Sequence, residues 1–154
     1  MSQRDQIRMS SGEIRDYLAG SRTIILTSIG KNGEPHPVPM FYAIDDAGAI
    51  VMSTYTKSQK IQNLKRDPRV TLLVEDGTKY SELRGVVYYG AAELIPDTDD
   101  VVRIIAAVAR HQGEPTDDSP EALAGRRRMA SKRTGIRVLP QRVVSWDHRK
   151  LLGR

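Results

Sequence analysis

The sequence contains no cysteine, which excludes disulfide bonds and thiolate catalysis and fits a reducing compartment. Aromatic side chains are scarce, at 5% of residues with one Trp and one Phe, whereas proteins that bind single-stranded nucleic acid rely on aromatic stacking. No apolar run approaches the roughly 20 residues that a transmembrane helix needs. The first residues, MSQRDQIRMSS, lack the apolar middle of a secretory signal. We therefore expect a cytoplasmic protein with no membrane span and no nucleic-acid partner.

Motifs for metal or hydrolytic chemistry are missing as well. The three histidines are His36, His111 and His148, and none belongs to a cluster with metal-ligand spacing. The sequence contains no G-x-S-x-G nucleophile motif and no prominent carboxylate pair. If the protein is an enzyme, a bound cofactor must supply the difficult chemical step. The sequence therefore predicts no metal site and assigns no catalytic residue.

Positive charge is the main feature of the composition. The 154 residues include 24 Lys and Arg against 19 Asp and Glu, which gives a formal net charge of +5. Such an excess favours anionic partners, a class that includes phosphorylated cofactors, acidic metabolites and nucleic acid. Charge alone does not choose among them.

The hydrophobic pattern predicts a mainly β protein of the α+β class. Short β-rich segments joined by turns lie at 23–29, 36–45, 49–54, 69–76, 83–95 and 135–147. Helical patterns lie at 10–20, 57–66, 97–112 and 120–133, the first with a capping box at Ser10 and Glu13. We expect an antiparallel sheet that closes into a barrel with peripheral helices.

A single domain is expected over residues 1–154. It divides into four parts, which are an N-terminal helix region (1–21), a barrel core (22–95), a helical region (96–134) and a final strand with its tail (135–154). Pro140 interrupts the final strand pattern and predicts a break there.

A candidate phosphate site lies where the third strand pattern gives way to a helix. The stretch TYTKSQK places Thr54, Lys57, Ser58 and Lys60 at this turn. The free N–H groups of a helix start and these side chains can converge on one phosphate. The alternative is a solvated helix face with a hydroxyl cap, and the spacing does not decide between the two. No glycine-rich P-loop precedes the lysines.

Two further segments are candidates for binding a planar ring. The stretch HPVPMFY contains prolines at 37 and 39 and follows a third at 35. A strand with this composition can place its backbone flat against a planar ligand. The more common reason for such prolines is protection of a sheet edge against aggregation. The second segment is a turn surrounded by Lys79, Tyr80 and Arg84. These side chains can contact the sides of a planar ring, although an ordinary polar hairpin is again the more common explanation.

The basic run at Arg126, Arg127 and Arg128 is a candidate surface for a long polyanion. Nearby acids at Asp117 and Asp118 offer the commoner explanation, which is a solvated helix face with balanced charge. The sequence assigns this run no definite role.

Taken together, the segment from Arg22 to Leu94 resembles the pyridoxamine-phosphate-oxidase-like split-barrel family. The likeness is carried by IILTSIGKNGEPHPVPMFYAIDDAGAIVMSTYTKSQKIQNLKRDPRVTLLVEDG. Its most specific piece, KIQNLKRDPRV at Lys60 to Val70, follows the family pattern K-x-x-N-L-x-x-D/N-P-R/K-V. Within the family, the sequence is most similar to the small reductases that use the deazaflavin coenzyme F420.

The resemblance implies a six-stranded antiparallel split β-barrel that pairs into a homodimer, with cofactor sites at the interface. It implies that a flavin-like ring lies along one strand and that the cofactor phosphate is held at the strand-to-helix turn. The cofactor-binding set that it implies is Val38, Pro39 and Met40 for the ring, Ser53, Thr54, Lys57, Ser58 and Lys60 around the phosphate, and Lys79 and Tyr80 near the ring or tail.

The implied function is that of an F420H2-dependent reductase, which transfers a hydride from the reduced deazaflavin to an unsaturated small molecule. The alternatives are an FMN-binding oxidoreductase of the pyridoxamine phosphate oxidase type and a non-catalytic flavin or deazaflavin carrier. The chain ends in KLLGR rather than the Arg-Leu-x-Pro motif of true pyridoxamine phosphate oxidases, which argues against that substrate. FMN-binding members of the family that this sequence resembles tend to present more arginines to the phosphate. Lysines dominate the corresponding turn here, so the resemblance favours F420 over FMN.

Overall fold

Seven antiparallel strands form one curled sheet in a computed structural model that describes residues 2–152. The sheet order is β2-β1-β5-β6-β7-β4-β3. The strands are β1 (Thr23–Ile29), β2 (Pro35–Phe41), β3 (Ala43–Ile44), β4 (Ile50–Tyr55), β5 (Arg69–Asp76), β6 (Arg84–Ile95) and β7 (Arg133–Asp147). The helices are α1 (Gln3–Gln6), α2 (Ser11–Gly20), α3 (Gln59–Arg66), α4 (Thr98–His111) and α5 (Pro120–Ala130). The predicted class, a mainly β protein with peripheral helices, is confirmed.

The core forms on the concave face of the sheet. Along the strands, buried side chains on this face alternate with half-buried or exposed side chains on the other face. In β1 and β5, every second residue is buried, as expected when one sheet face packs on the core. Fully buried side chains such as Leu26, Met52, Leu72 and Ile136 form the main cluster.

The sheet has seven strands instead of the predicted six because the second predicted strand is interrupted at Tyr42. β2 and β3 lie at opposite edges of the sheet, yet Tyr42 alone separates them in the chain. The two edges therefore meet at Tyr42, and the sheet curls into a barrel. The Tyr42 side chain is fully buried, and its hydroxyl donates to the Leu18 carbonyl at 2.5 Å. This bond ties the closure point to α2.

The break predicted at Pro140 is a β-bulge, and β7 continues through it. The pairing of β6 with β7 shifts register here, since Tyr89 pairs with Arg142 while Gly90 pairs with Pro140. Gln141 is left as the extra residue. A bulge accommodates proline because one backbone N–H leaves the ladder.

Two helices position the region that matters for function. α3 begins after its N-cap Ser58 and packs on β1. α4 packs on β3, β4 and β7, with Val101 and Ile104 buried. Across residues 2–152, no helix is both long and apolar enough to pass through a bilayer.

Candidate cofactor-binding site

Three elements meet at one corner of the barrel. β4 ends at Tyr55, which pairs with Arg133 at the start of β7. The Ser58 backbone N–H donates to the Tyr55 carbonyl at 2.9 Å, and the Thr56 N–H donates to the Lys132 carbonyl at 3.0 Å. The start of α3 is therefore fixed directly beside the start of β7.

This corner gathers positive charge and unsatisfied polar groups. The Lys60 ammonium donates to the Thr54 hydroxyl at 3.1 Å, and an Arg133 N–H donates to the Ser53 carbonyl at 3.3 Å. Within residues 2–152, neither cation forms an ion pair with a carboxylate. Arg133 Nε and Ser58 Oγ are buried and have no hydrogen-bond partner among the residues that the structure describes.

An anion would satisfy these groups. Each buried polar group left without a partner costs about 1–3 kcal/mol. Ser58 does not cap α3 with its own side chain, so the first N–H groups of the helix also remain available. The charge, the unpaired donors and the helix start all fit a phosphate.

The pKa of Lys60 is shifted by its surroundings at this corner. Burial lowers the pKa of its ammonium, and the nearby positive charge of Arg133 lowers it further. In the ligand-free protein, Lys60 therefore loses its proton at a lower pH than an ordinary lysine. A bound anion opposes this shift by stabilising the charged form.

The affinity of the corner for a phosphate-bearing ligand should consequently fall as the pH rises from neutral toward the pKa of an ordinary lysine. We expect Lys60→Arg to remove this decline, because a guanidinium stays charged throughout the range. Fluorescence titrations with FMN across the alkaline range, on both proteins, test the assignment. An identical decline in the variant would show that another group is titrating.

A cavity of about 430 Å³ opens next to the corner, between the sheet and the α4–α5 pair. It is lined by Pro39, Met40, Phe41, Ser53, Thr54, Tyr55, Ile105, Val108, Ala109, Gln112, Glu114, Met129 and Arg133. Phe41 and Tyr55 are 59% and 60% exposed, which is unusual for large aromatic side chains facing a concave surface. The Arg133 guanidinium lies 4.6 Å from the centre of the Tyr55 ring.

The free edge of β2 borders this cavity. β2 pairs with β1 only, and its prolines alternate with other residues along the strand. Because proline has no N–H, the prolines occupy the positions that do not bond to β1, and their carbonyls face the free edge. The edge therefore offers backbone acceptors and a flat proline surface.

The structure brings six of the ten predicted site residues together. Four of them line the cavity, namely Pro39, Met40, Ser53 and Thr54. Ser58 and Lys60 stand beside it at the corner, where Lys60 contacts Thr54.

The other four predicted residues are placed differently. Val38 is half-buried and packs against the main core rather than lining the cavity, and Lys57 is exposed on the turn before α3. Lys79 and Tyr80 lie at the turn between β5 and β6, where the Tyr80 carbonyl is 2.8 Å from His148 Nδ1. Since His148 follows the far end of β7, these two do not join the cavity within one chain.

Arg133 and the α4–α5 wall were missed by the sequence analysis. The sequence analysis instead named Arg126, Arg127 and Arg128 as a candidate surface for a polyanion. In the structure, Arg126 pairs with Asp118 at 2.8 Å and Arg127 pairs with Asp99 at 2.5 Å. The one available signal for Arg133 was its position at the end of the predicted helix 120–133, two residues before the predicted strand 135–147.

A larger cavity of about 1000 Å³ lies on the other side of α4. It contains none of the predicted site residues, and its Arg137 already pairs with Asp45 at 2.8 Å and with Glu93 at 3.6 Å. The smaller cavity is therefore the better candidate for the cofactor. Within residues 2–152, no group of three or more His, Cys, Asp or Glu side chains could hold a metal ion.

Comparisons with known proteins identify relatives of this chain. A relative in Streptomyces rimosus, 5a,11a-dehydrotetracycline/5a,11a-dehydrooxytetracycline reductase, is 32% identical over 76 residues, or 46% of this chain. The aligned region spans about half, 54%, of that relative's length.

Solved structures give the same architecture. A conserved hypothetical protein of Mycobacterium tuberculosis is 42% identical with a TM-score of 0.90, over 100% of this chain and 94% of that one. An F420 reductase is 22% identical with a TM-score of 0.64, over 84% of this chain and 94% of that one; at this identity the likeness shows the fold alone.

The family model for pyridoxamine 5'-phosphate oxidase matches residues 10–147. This range includes the β2 edge, the strand-to-helix corner and all of β7. The chain therefore belongs to the pyridoxamine 5'-phosphate oxidase family.

Proposed function

We propose that the protein is an oxidoreductase that binds coenzyme F420 and uses its reduced form, F420H2, to reduce an unsaturated small molecule. The observation that carries the proposal is the corner where Lys60 and Arg133 have no carboxylate partner among residues 2–152, beside a cavity with a flat backbone wall. The reductase relatives support the reaction type.

The residues of the corner fit the phosphate group of such a cofactor. Lys60 and Arg133 would supply charge, and the unpaired Ser58 hydroxyl would donate a hydrogen bond. Thr54 would orient the Lys60 ammonium, and the exposed Lys57 would approach the phosphate from the solvent side.

The ring would lie along the β2 edge at Pro39 and Met40, with Ser53 opposite on β4. The bound deazaflavin supplies the hydride. The chain's own contribution is to fix the ring against stiff strand backbone and to exclude water with the apolar residues of α4 and α5. Val38 would support the strand from the core side.

F420 is favoured over FMN by cations outside the cavity. Lys57, Lys132 and Arg128 are exposed and form no ion pair within the described residues. F420 carries a polyglutamate tail beyond its phosphate, whereas FMN ends at the phosphate. The unpaired charges of Lys57, Lys132 and Arg128 could therefore attract the polyglutamate tail of F420, which FMN does not have.

A homodimer would complete the site. Lys79 and Tyr80 lie at the opposite end of β7 from the cavity, so they could contribute only from a second subunit. Leu139 and Val143 are 55% and 41% exposed on β7 and offer an apolar contact for that subunit.

Fluorescence titration with F420 and with FMN tests the proposal. We expect F420 to bind more tightly, and F420H2 to be oxidised when an enone substrate is added. Tighter binding of FMN would identify the FMN-dependent alternative. Tight F420 binding without turnover across a panel of enones and tetrapyrroles would identify a carrier.

A further inference from the structure

The cavity is lined by charges of opposite sign. Arg133 stands at the start of β7, where it pairs with Tyr55 of β4. Glu114 follows α4, whose C-terminal end is held in place because the Gln112 amide donates to the Arg22 carbonyl at 2.8 Å.

Glu114 is the one carboxylate among the described residues that line the cavity. Within residues 2–152, neither Arg133 nor Glu114 forms an ion pair, so the two charges are not joined to each other.

Much of the remaining lining is apolar. It includes Phe41, Ile105, Val108, Ala109 and Met129. The loop that carries Glu114 is held to α4 by its backbone N–H, which donates to the Ala109 carbonyl at 3.0 Å. The backbone at Glu114 is therefore fixed beside the apolar lining, and its side chain is exposed.

We propose that Glu114 determines substrate specificity by binding a cationic nitrogen on a planar, largely apolar substrate. The inference rests on the proposed function, in which Arg133 and Lys60 are occupied by the cofactor phosphate. The remaining charge in the cavity is then the Glu114 carboxylate. It attracts an ammonium and repels an anion, so it selects against acidic substrates.

A matched pair of planar probes tests this inference without a redox step. Thioflavin T is a benzothiazolium cation, and its N-demethylated benzothiazole analogue is neutral with nearly the same shape. We expect the F420-loaded protein to bind the cation more tightly than the neutral probe. In Glu114→Gln this preference should fall by about 3- to 10-fold.

Glu121→Gln is the matched control, because Glu121 is an exposed acid on α5 that does not line the cavity. The control should keep the wild-type preference, and Glu114→Lys should reverse it. An unchanged preference in Glu114→Gln, or equal binding of both probes to the wild type, overturns the inference. Failure of F420 to bind in a separate titration would instead overturn the proposed function, and the probe preference of the unloaded protein would still report on Glu114.

Discussion

Arg133→Ala is expected to weaken the binding of F420 by about 10- to 100-fold, or about 1.5–3 kcal/mol. Arg133 brings a charge to the corner that no carboxylate in the described part of the chain neutralises, and its Nε is buried there without an acceptor. A phosphate oxygen would supply that acceptor, and charge-assisted bonds of this kind are among the stronger hydrogen bonds in proteins. The same loss should appear with FMN, since both ligands carry a phosphate. Fluorescence titration measures both affinities.

Arg142→Ala is the matched control. Arg142 lies on the same strand and stacks on Tyr89 at 3.8 Å, much as Arg133 stacks on Tyr55. Removing it therefore takes away the same charge and a similar aromatic contact at a site remote from the cavity. Equal losses of affinity in the two variants would mean that the effect comes from net charge alone. Arg133→Lys should fall between wild type and Arg133→Ala, because a lysine keeps the charge without the planar fork.

The fold was predictable because its signals are local. The capping box at Ser10 and Glu13 starts α2 as expected, and alternating apolar residues mark β1 and β5. The interruption at Tyr42 was not predictable in this way. It depends on the two sheet edges meeting and on a buried hydroxyl reaching the Leu18 carbonyl, and both are consequences of closure rather than of neighbouring residues.

The candidate site likewise contains residues that are close in the sequence, which could be predicted, and a residue brought in by distant strand pairing, which could not. Thr54, Ser58 and Lys60 are close in the sequence, so a turn between a strand and a helix was enough to predict that they lie together. Arg133 reaches them through the pairing of β4 with β7, in which it stands opposite Tyr55. Register between distant strands is set by the whole sheet, and a single sequence carries little signal for it.

Charge runs illustrate a second limit of sequence reasoning. In the sequence, nothing distinguishes Arg126, Arg127 and Arg128 from one another. In the structure, their side chains leave α5 in different directions and meet different surroundings. The first two pair with Asp118 and Asp99, and only Arg128 lacks an ion pair in the part of the chain that the structure describes. Acids on the preceding loop and on α4 decide which cations remain free to meet a ligand.

Asn63→Ala is expected to destabilise the protein by about 2–4 kcal/mol. Asn63 is fully buried in α3, and its amide donates to the hydroxyl of Ser28, also fully buried, at 3.0 Å. Its carbonyl accepts from the Gln59 amide at 2.8 Å. The substitution leaves the Ser28 hydroxyl without this donor in an apolar surrounding and opens a small void. Because α3 carries Lys60, we also expect weaker F420 binding. Urea denaturation and F420 titration provide the two measurements.

Gln62→Ala provides the comparison, because Gln62 is the exposed neighbour on the same helix and its loss should cost under about 0.5 kcal/mol. A double-mutant cycle with Ser28→Ala tests the physical reason. If the buried bond between the two side chains accounts for the loss, the double variant should be less destabilised than the sum of the single variants. Strict additivity would instead show that Asn63 stabilises α3 through contacts that do not involve Ser28.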